Sequence, residues 1–292
     1  MKNYTLTLLL SAAPLFAGTP APVAPAPQYN SEQGWILGLE AMALRPYQSN
    51  GNYDQNSYDF AGRGTLGYQF ADGMFITASY FGYGTDVMGS NELTSTQLIQ
   101  QEANMHVSYI DLVVGQNFKP TETLKLSPYV GLRWGTFSEG YGQQTNNFTL
   151  STAVPPVRTD ISTRIQGDSN NFSGLGVVVG IDATRALGSN FSLYGTAKES
   201  VMFGTCDTSN VDYFYLAGST TPVGTPTNNS NSSDRVLFVS EFGLGVQYDY
   251  TFSNVAANIR LGVEGQWWAG GSAGNSENVG LAGFVLGANF RF

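Results

Sequence analysis

GFVLGANFRF, residues 283–292, closes the chain, and its even positions, Phe284, Leu286, Ala288, Phe290 and Phe292, are all apolar. The odd positions, Val285, Gly287, Asn289 and Arg291, grow polar toward the end. Alternation with a period of two belongs to a β-strand with one face against something apolar and the other against something wetter. Chain ends in water usually fray through polar residues. A strand that stops flush on Phe292 instead implies a paired backbone and an apolar medium beside it.

The same sorting recurs in nine earlier segments. GWILGLEAMALRP sets Trp35, Leu37, Leu39, Ala41 and Ala43 against Glu40, and FAGRGTLGYQF sets Phe60, Leu66, Tyr68 and Phe70 against Arg63. VSYIDLVVGQNF opposes Ile110, Leu112 and Val114 to Asp111; LKLSPYVGLRWGTF opposes Leu126, Val130, Leu132 and Trp134 to Arg133. FSGLGVVVGIDATR isolates Asp182, RVLFVSEFGLGVQYDY isolates Glu241, and VAANIRLGVEGQW isolates Arg260 and Glu264 on the polar face. In NFSLYGTAKESVMF, Lys198 opposes Phe191, Leu193, Val201 and Phe203, but Glu199 falls on the apolar face, as at a bulge or the outer rim. FITASYFGY sorts least cleanly: Phe75, Phe81 and Tyr83, read as its apolar face, share parity with Thr77 and Ser79.

Connections alternate in length. Ala71-Asp72-Gly73, Lys119-Pro120-Thr121-Glu122, Leu187-Gly188-Ser189-Asn190 and Phe252-Ser253-Asn254 read as tight turns. Between them run long polar loops: RPYQSNGNYDQNSYD, VMGSNELTSTQLIQQEANM, and the longest, about residues 205–234. The expected fold class is all-β, a transmembrane antiparallel up-and-down β-barrel of about ten strands, with both termini on the short-turn, periplasmic side. NFTLSTAV, 147–154, and TDISTRI, 159–165, also alternate; they either prolong strands five and six above the membrane or make the count 12. A soluble β-sandwich alternates as well, but does not account for the short–long series or the terminal phenylalanine.

Composition agrees with a membrane barrel. Charged residues are 12%, aromatics 13%, glycines 35 of 292, and mean hydropathy is −0.11. Such averages arise when greasy and wet faces alternate within every window. Residues 1–18, MKNYTLTLLLSAAPLFAG, read as a cleaved signal peptide: Lys2, an apolar stretch too short to span a bilayer, then small residues. A Pro/Ala-rich periplasmic spacer, 19–32, follows, and the barrel occupies 33–292. Export to the bacterial outer membrane is the expected localisation. Cys206, the one cysteine, allows no internal disulfide and reads as a loop residue or a link between chains. The net charge of −9 excludes nucleic acid as a partner. No phosphate-binding loop, metal-spaced His/Cys cluster or acidic calcium loop occurs, so no cofactor or metal is expected.

In hydrocarbon an open sheet edge has no water to satisfy it, so the last strand must pair with the first. The expected partners are outer-membrane lipid and, through the phenylalanine-terminated strand, the barrel-assembly machinery. Phe70, Phe118, Tyr250 and Phe292 lie near short turns and suit the periplasmic aromatic girdle; Trp134, Tyr80 and Trp267 suit the opposite one. Ten charges fall on inward parity, five acidic (Glu40, Asp111, Asp182, Glu241, Glu264) and five basic (Arg63, Arg133, Lys198, Arg260, Arg291). They form either a paired network that packs the interior or the lining of a pore. Inward glycines such as Gly180 and Gly287 either make room for long side chains or leave a water path.

Tests for an enzyme fail. His106 is the lone histidine, without the carboxylate neighbours an omptin-type protease wants. His106-Val107-Ser108 shares the H-x-S of outer-membrane phospholipase, but Tyr109-Ile110 follows where that family has Asn-Gly, and no third group is evident. No catalytic residue is assigned.

The opening GWILGLEAMALRP, the pair YIDLVVGQNF and LSPYVGLRW, the segment FSGLGVVVGIDATRALGSNFSLYGTAKESVMFG, and the closing strand make the chain resemble the Legionella-type major outer-membrane protein family of pore-forming barrels. The resemblance implies an abundant, surface-exposed envelope protein with a porin-like role and no catalytic residues to transfer. It departs from the cysteine-rich, cross-linked chlamydial major porins, since Cys206 stands alone. The expected function is passive passage of ions or small hydrophilic solutes through a charge-lined lumen. The alternative is a sealed structural or adhesin barrel whose long loops bind host or envelope partners.

Overall fold

The structure, a computed structural model, describes residues 33–48, 58–94, 96–152, 157–252, 255–270 and 278–292. The expected signal peptide and spacer, and the turn at Ser253-Asn254, lie outside the described residues. Ten strands follow in chain order: β1 Gly34–Gln48, β2 Asp59–Gln69, β3 Met74–Leu93, β4 Gln97–Gln116, β5 Leu124–Leu150, β6 Arg158–Gly188, β7 Phe191–Leu216, β8 Thr227–Phe252, β9 Val255–Ala269 and β10 Val279–Arg291. Each pairs antiparallel with its chain neighbours, and β1 pairs with β10 to close the barrel. The closure reaches the last residue: Trp35 N–H donates to Phe292 O and Phe292 N–H to Trp35 O, both at 3.1 Å.

Paired residues followed once around the ring run from Ile36 through Gly67, Thr77, Val113, Gly131, Val178, Ser200, Val239, Trp268 and Val279 to Gln48. The path returns to β1 twelve residues higher, and such a shear in ten strands tilts them by about 40°. At the β6–β7 turn, Ser189 (φ 50°) and Asn190 (φ 68°) are both left-handed, as a two-residue type I′ hairpin requires.

Outward parity carries Leu39, Leu66, Leu112, Leu132, Leu261 and Leu286, all exposed on the outer wall. Strand β3 reverses the sequence reading. Phe75, Phe81 and Tyr83 point inward and are buried, while Met74, Ile76 and Tyr80 face outward. Phe81 and Tyr83 join the apolar filling of the upper lumen, while Phe75 lines the lower cavity beside the β2–β3 turn with Thr77 and Ser79.

The polar stretches expected as loops are largely strand. β3 and β4 continue to Leu93 and from Gln97, and β7 and β8 run to Leu216 and from Thr227. Residues 147–150 and 158–165 prolong β5 and β6, pairing Thr149 with Thr159, so the strand count among the described residues is ten. These extensions are polar along most of their length, with only scattered buried residues such as Phe148 and Cys206, and therefore lack the sustained apolar alternation by which a half-buried strand is recognised. At about 3.3 Å per residue the 31-residue β6 is roughly 100 Å long, whereas about 9–11 tilted residues cross a bilayer. β3–β8 thus rise as a wall above a ring in which β1, β2, β9 and β10 stop short. Cys206 belongs to this rise: it sits in β7, fully buried, not in a loop, and burial pushes its thiol above the ordinary value.

Candidate functional site: an ionic belt beneath an apolar lid

All ten sequence-predicted charges project into the lumen, because each shares parity with buried inner residues of its strand. The structure draws eight of them into one belt. Arg63 reaches Glu40 (2.7 Å), Glu264 (2.7 Å) and Glu241 (3.1 Å). Arg133 donates to both Asp111 oxygens (2.6 and 2.7 Å) and to Ser200 Oγ (3.2 Å), and meets Glu241 at 2.6 Å. Lys198 lies 3.3 Å from Asp111 and 3.6 Å from Glu241, and Arg260 closes on Glu40. Tyr109 stands at the centre: its hydroxyl donates to Glu241 (2.6 Å) and accepts from Arg63 (3.0 Å), and the Arg133 guanidinium lies 3.7 Å from its ring centroid. Four cations thus answer four carboxylates, the condition under which charges tolerate burial.

Asp182 and Arg291 remain outside the belt, in a vestibule of about 650 Å³ that runs down to turn residues including Lys119, Glu122 and Thr251. The vestibule therefore opens at the short-turn end. Several inward glycines make room for side chains: a Cβ at Gly180 would lie 2.5 Å from the Tyr129 ring, and one at Gly287 would lie 2.9 Å from Arg260 Cγ.

Above the belt the lumen is filled largely by apolar side chains. Every strand contributes to one apolar cluster, among them Leu44, Phe81, Phe137, Met202, Leu237 and Trp268. Rings from opposite walls meet across the barrel: Phe137 of β5 stacks on Trp268 of β9 at 6.1 Å, and Tyr109 lies 6.2 Å from the same indole. Trp268 Nε1–H donates to Gln266 (3.1 Å), which in turn donates to Glu264 (2.9 Å), tying lid to belt. Sequence reasoning missed this lid, although a signal existed. On inward parity the residues beyond several of the charges, away from the short turns, become apolar: Leu44 beyond Glu40, Met202 beyond Lys198, Leu237 and Val239 beyond Glu241, Trp268 beyond Glu264.

Of the expected girdle residues, Phe70, Tyr250 and Phe292 are exposed near the periplasmic end, and Phe118 bridges Leu126 beside the β4–β5 turn. Trp134 and Trp267 are exposed on the outer wall. Glu199 sits on that wall with no bulge; its partner Ser240 donates to it at 2.7 Å and is also paired with Trp267. His106 faces Asp86 at 3.8 Å, while the Ser108 hydroxyl is engaged with Thr136 at 2.8 Å. A nucleophile must contact its base, and among the described residues no hydrogen bond joins Ser108 to His106.

A family model described as the Legionella pneumophila major outer membrane protein precursor matches residues 26–292. The chain belongs to that family. This member of the Legionella major outer membrane protein family is a protein of the bacterial outer membrane, and the family's description names no catalytic activity. Among solved structures it is similar to a major outer membrane protein from Thermus thermophilus, at 12% identity and TM-score 0.37, covering 89% of this chain and 99% of that one. It is also similar to the outer membrane protease OmpT from Escherichia coli, at 13% identity and TM-score 0.40, covering 89% and 94%. The Pseudomonas putida toluene transporter TodX follows at 9% identity and TM-score 0.32, covering 88% and 89%. Comparison with curated proteins finds no match.

Proposed function

We propose that this family member is a barrel closed across its lumen, which presents the tall β3–β8 wall for contacts outside the cell. The observation that carries the reading is the apolar lid: Leu44, Phe81 and Met202 are wholly inaccessible to water, and rings from facing walls touch. A hydrated ion would have to shed its water there with few polar groups to replace it. The wall, long beyond any need of the bilayer and largely polar, supplies the contact surface.

A second reading, passive passage of ions or small hydrophilic solutes, draws on the charged vestibule in the periplasmic half. It requires the lid to part. Planar-bilayer recordings on the refolded protein separate the two. The closed barrel gives no unitary steps, and Phe81→Ala/Phe137→Ala/Trp268→Ala introduces them; regular steps from the unaltered protein would overturn the reading.

A further inference from the structure

Above the lid the wall has two vertical edges. β2 accompanies β3 only as far as the Ala61–Tyr83 pair, and β9 accompanies β8 only as far as Ala269–Phe238. The β3 edge is interrupted by a register irregularity between Met88 and Asn91, a device that blunts exposed edges. The β8 edge is not. From Thr227, opposite Asp212, to Leu237, opposite Met202, it pairs with β7 without a break.

The direction of its backbone groups follows from two contacts. Asp249 N–H donates to Asn190 O at 2.8 Å, and the Asn231 carbonyl accepts from the Thr208 hydroxyl at 3.3 Å, so odd residues of β8 address β7. In an antiparallel strand the N–H and C=O of one residue point the same way and those of the next point opposite. Asn228, Ser230, Ser232 and Asp234 therefore turn both groups to the open side, where no partner stands among the described residues. The stretch TNNSNSSDRV holds no proline or lysine, two residues that commonly guard edges.

We propose that Thr227–Val236 of β8 is a strand-addition site that takes an extended, polar segment of another protein outside the cell. The inference rests on the surface-contact reading above. Donors and acceptors alternating at strand spacing match a polypeptide backbone. The flanking side chains, mostly Asn and Ser, offer no apolar pocket, so the incoming residues are polar as well. A second copy is the poorer occupant: two chains in one membrane share their vertical direction, so two β8 edges would meet parallel, the weaker pairing, and the β3 edge, which would meet β8 antiparallel, is broken between Met88 and Asn91.

The test uses the full-length refolded barrel in detergent and a fluorescent peptide with the sequence of residues 207–212, a segment that already pairs with β8 from Thr227 to Ser232 on its other side. Saturable binding, absent for a scrambled peptide, is expected. Ser230→Pro should weaken it at least tenfold while the barrel keeps its β-spectrum, because that N–H is not spent on β7. Ser232→Pro, on the same side, repeats the test if Ser230→Pro does not refold. No saturable binding, undiminished binding by both proline variants, or a cross-linked dimer joined through this edge overturns the proposal. Unitary steps in the bilayer recording would sink the closed-barrel reading alone; absent peptide binding without steps would sink the strand-addition site alone.

Discussion

Arg133→Met isolates the energetics of the belt. The Arg133 side chain is 0% exposed and holds two carboxylates, Asp111 at 2.6 and 2.7 Å and Glu241 at 2.6 Å, with its guanidinium over Tyr109. Methionine fills much of the volume but strands both acids where water does not reach. Lys198, 3.3 and 3.6 Å away, answers only part of that charge. Removing one partner of a buried pair costs about 3–5 kcal/mol, and that is the loss expected here. Asp111→Leu/Arg133→Met removes one charge of each sign, leaving three cations against three carboxylates. The double variant should therefore be more stable than Arg133→Met, with a coupling of at least about 2 kcal/mol. Equilibrium urea unfolding in phospholipid vesicles, followed by tryptophan fluorescence, measures all four corners of the cycle. A loss below about 1 kcal/mol for Arg133→Met, or two single losses that simply add, would refute the claim that the belt is one buried, charge-balanced unit.

Gly188 (φ 106°) opens the β6–β7 hairpin in a conformation closed to side chains, so Gly188→Ala should cost about 1–2 kcal/mol in the same unfolding assay. On the wall above the membrane, the hydrogen bond from Arg164 holds the Asp212 carboxyl below the usual range. That contribution is full above the unfolded carboxyl value of about 3.9 and is lost as pH falls through the lower folded value. Amide-exchange protection around Gln166 and Tyr213 should hold from pH 7 to 5 and fall below about pH 4, a drop that Asp212→Asn abolishes. Glu199→Leu should change stability by less than about 1 kcal/mol, since charges near the interface cost little; a gain of 2 kcal/mol or more would place Glu199 deep in the hydrocarbon.

Alternation alone made the barrel legible. Leu112 against Asp111 and Leu132 against Arg133 assign lipid and lumen faces, because a strand has only two sides and a bilayer tolerates no open edge. The same parity rule selected the ten inward charges, and the short turns gave the order of the strands. Three features lay beyond it. The polar rises of β5–β8 look like loops because few of their residues are buried on either face, so the period that marks a strand is missing. The apolar inner face of β3 was assigned to lipid, since local pattern cannot distinguish grease facing hydrocarbon from grease facing other side chains across a lumen. Which acid meets which base depends on a shear of 12 residues and a barrel narrow enough for opposite walls to touch, so that Arg63 of β2 reaches Glu241 of β8. Parity along one strand is local chemistry. The belt and its lid are products of closure, which sets residues nearly two hundred positions apart within bonding distance.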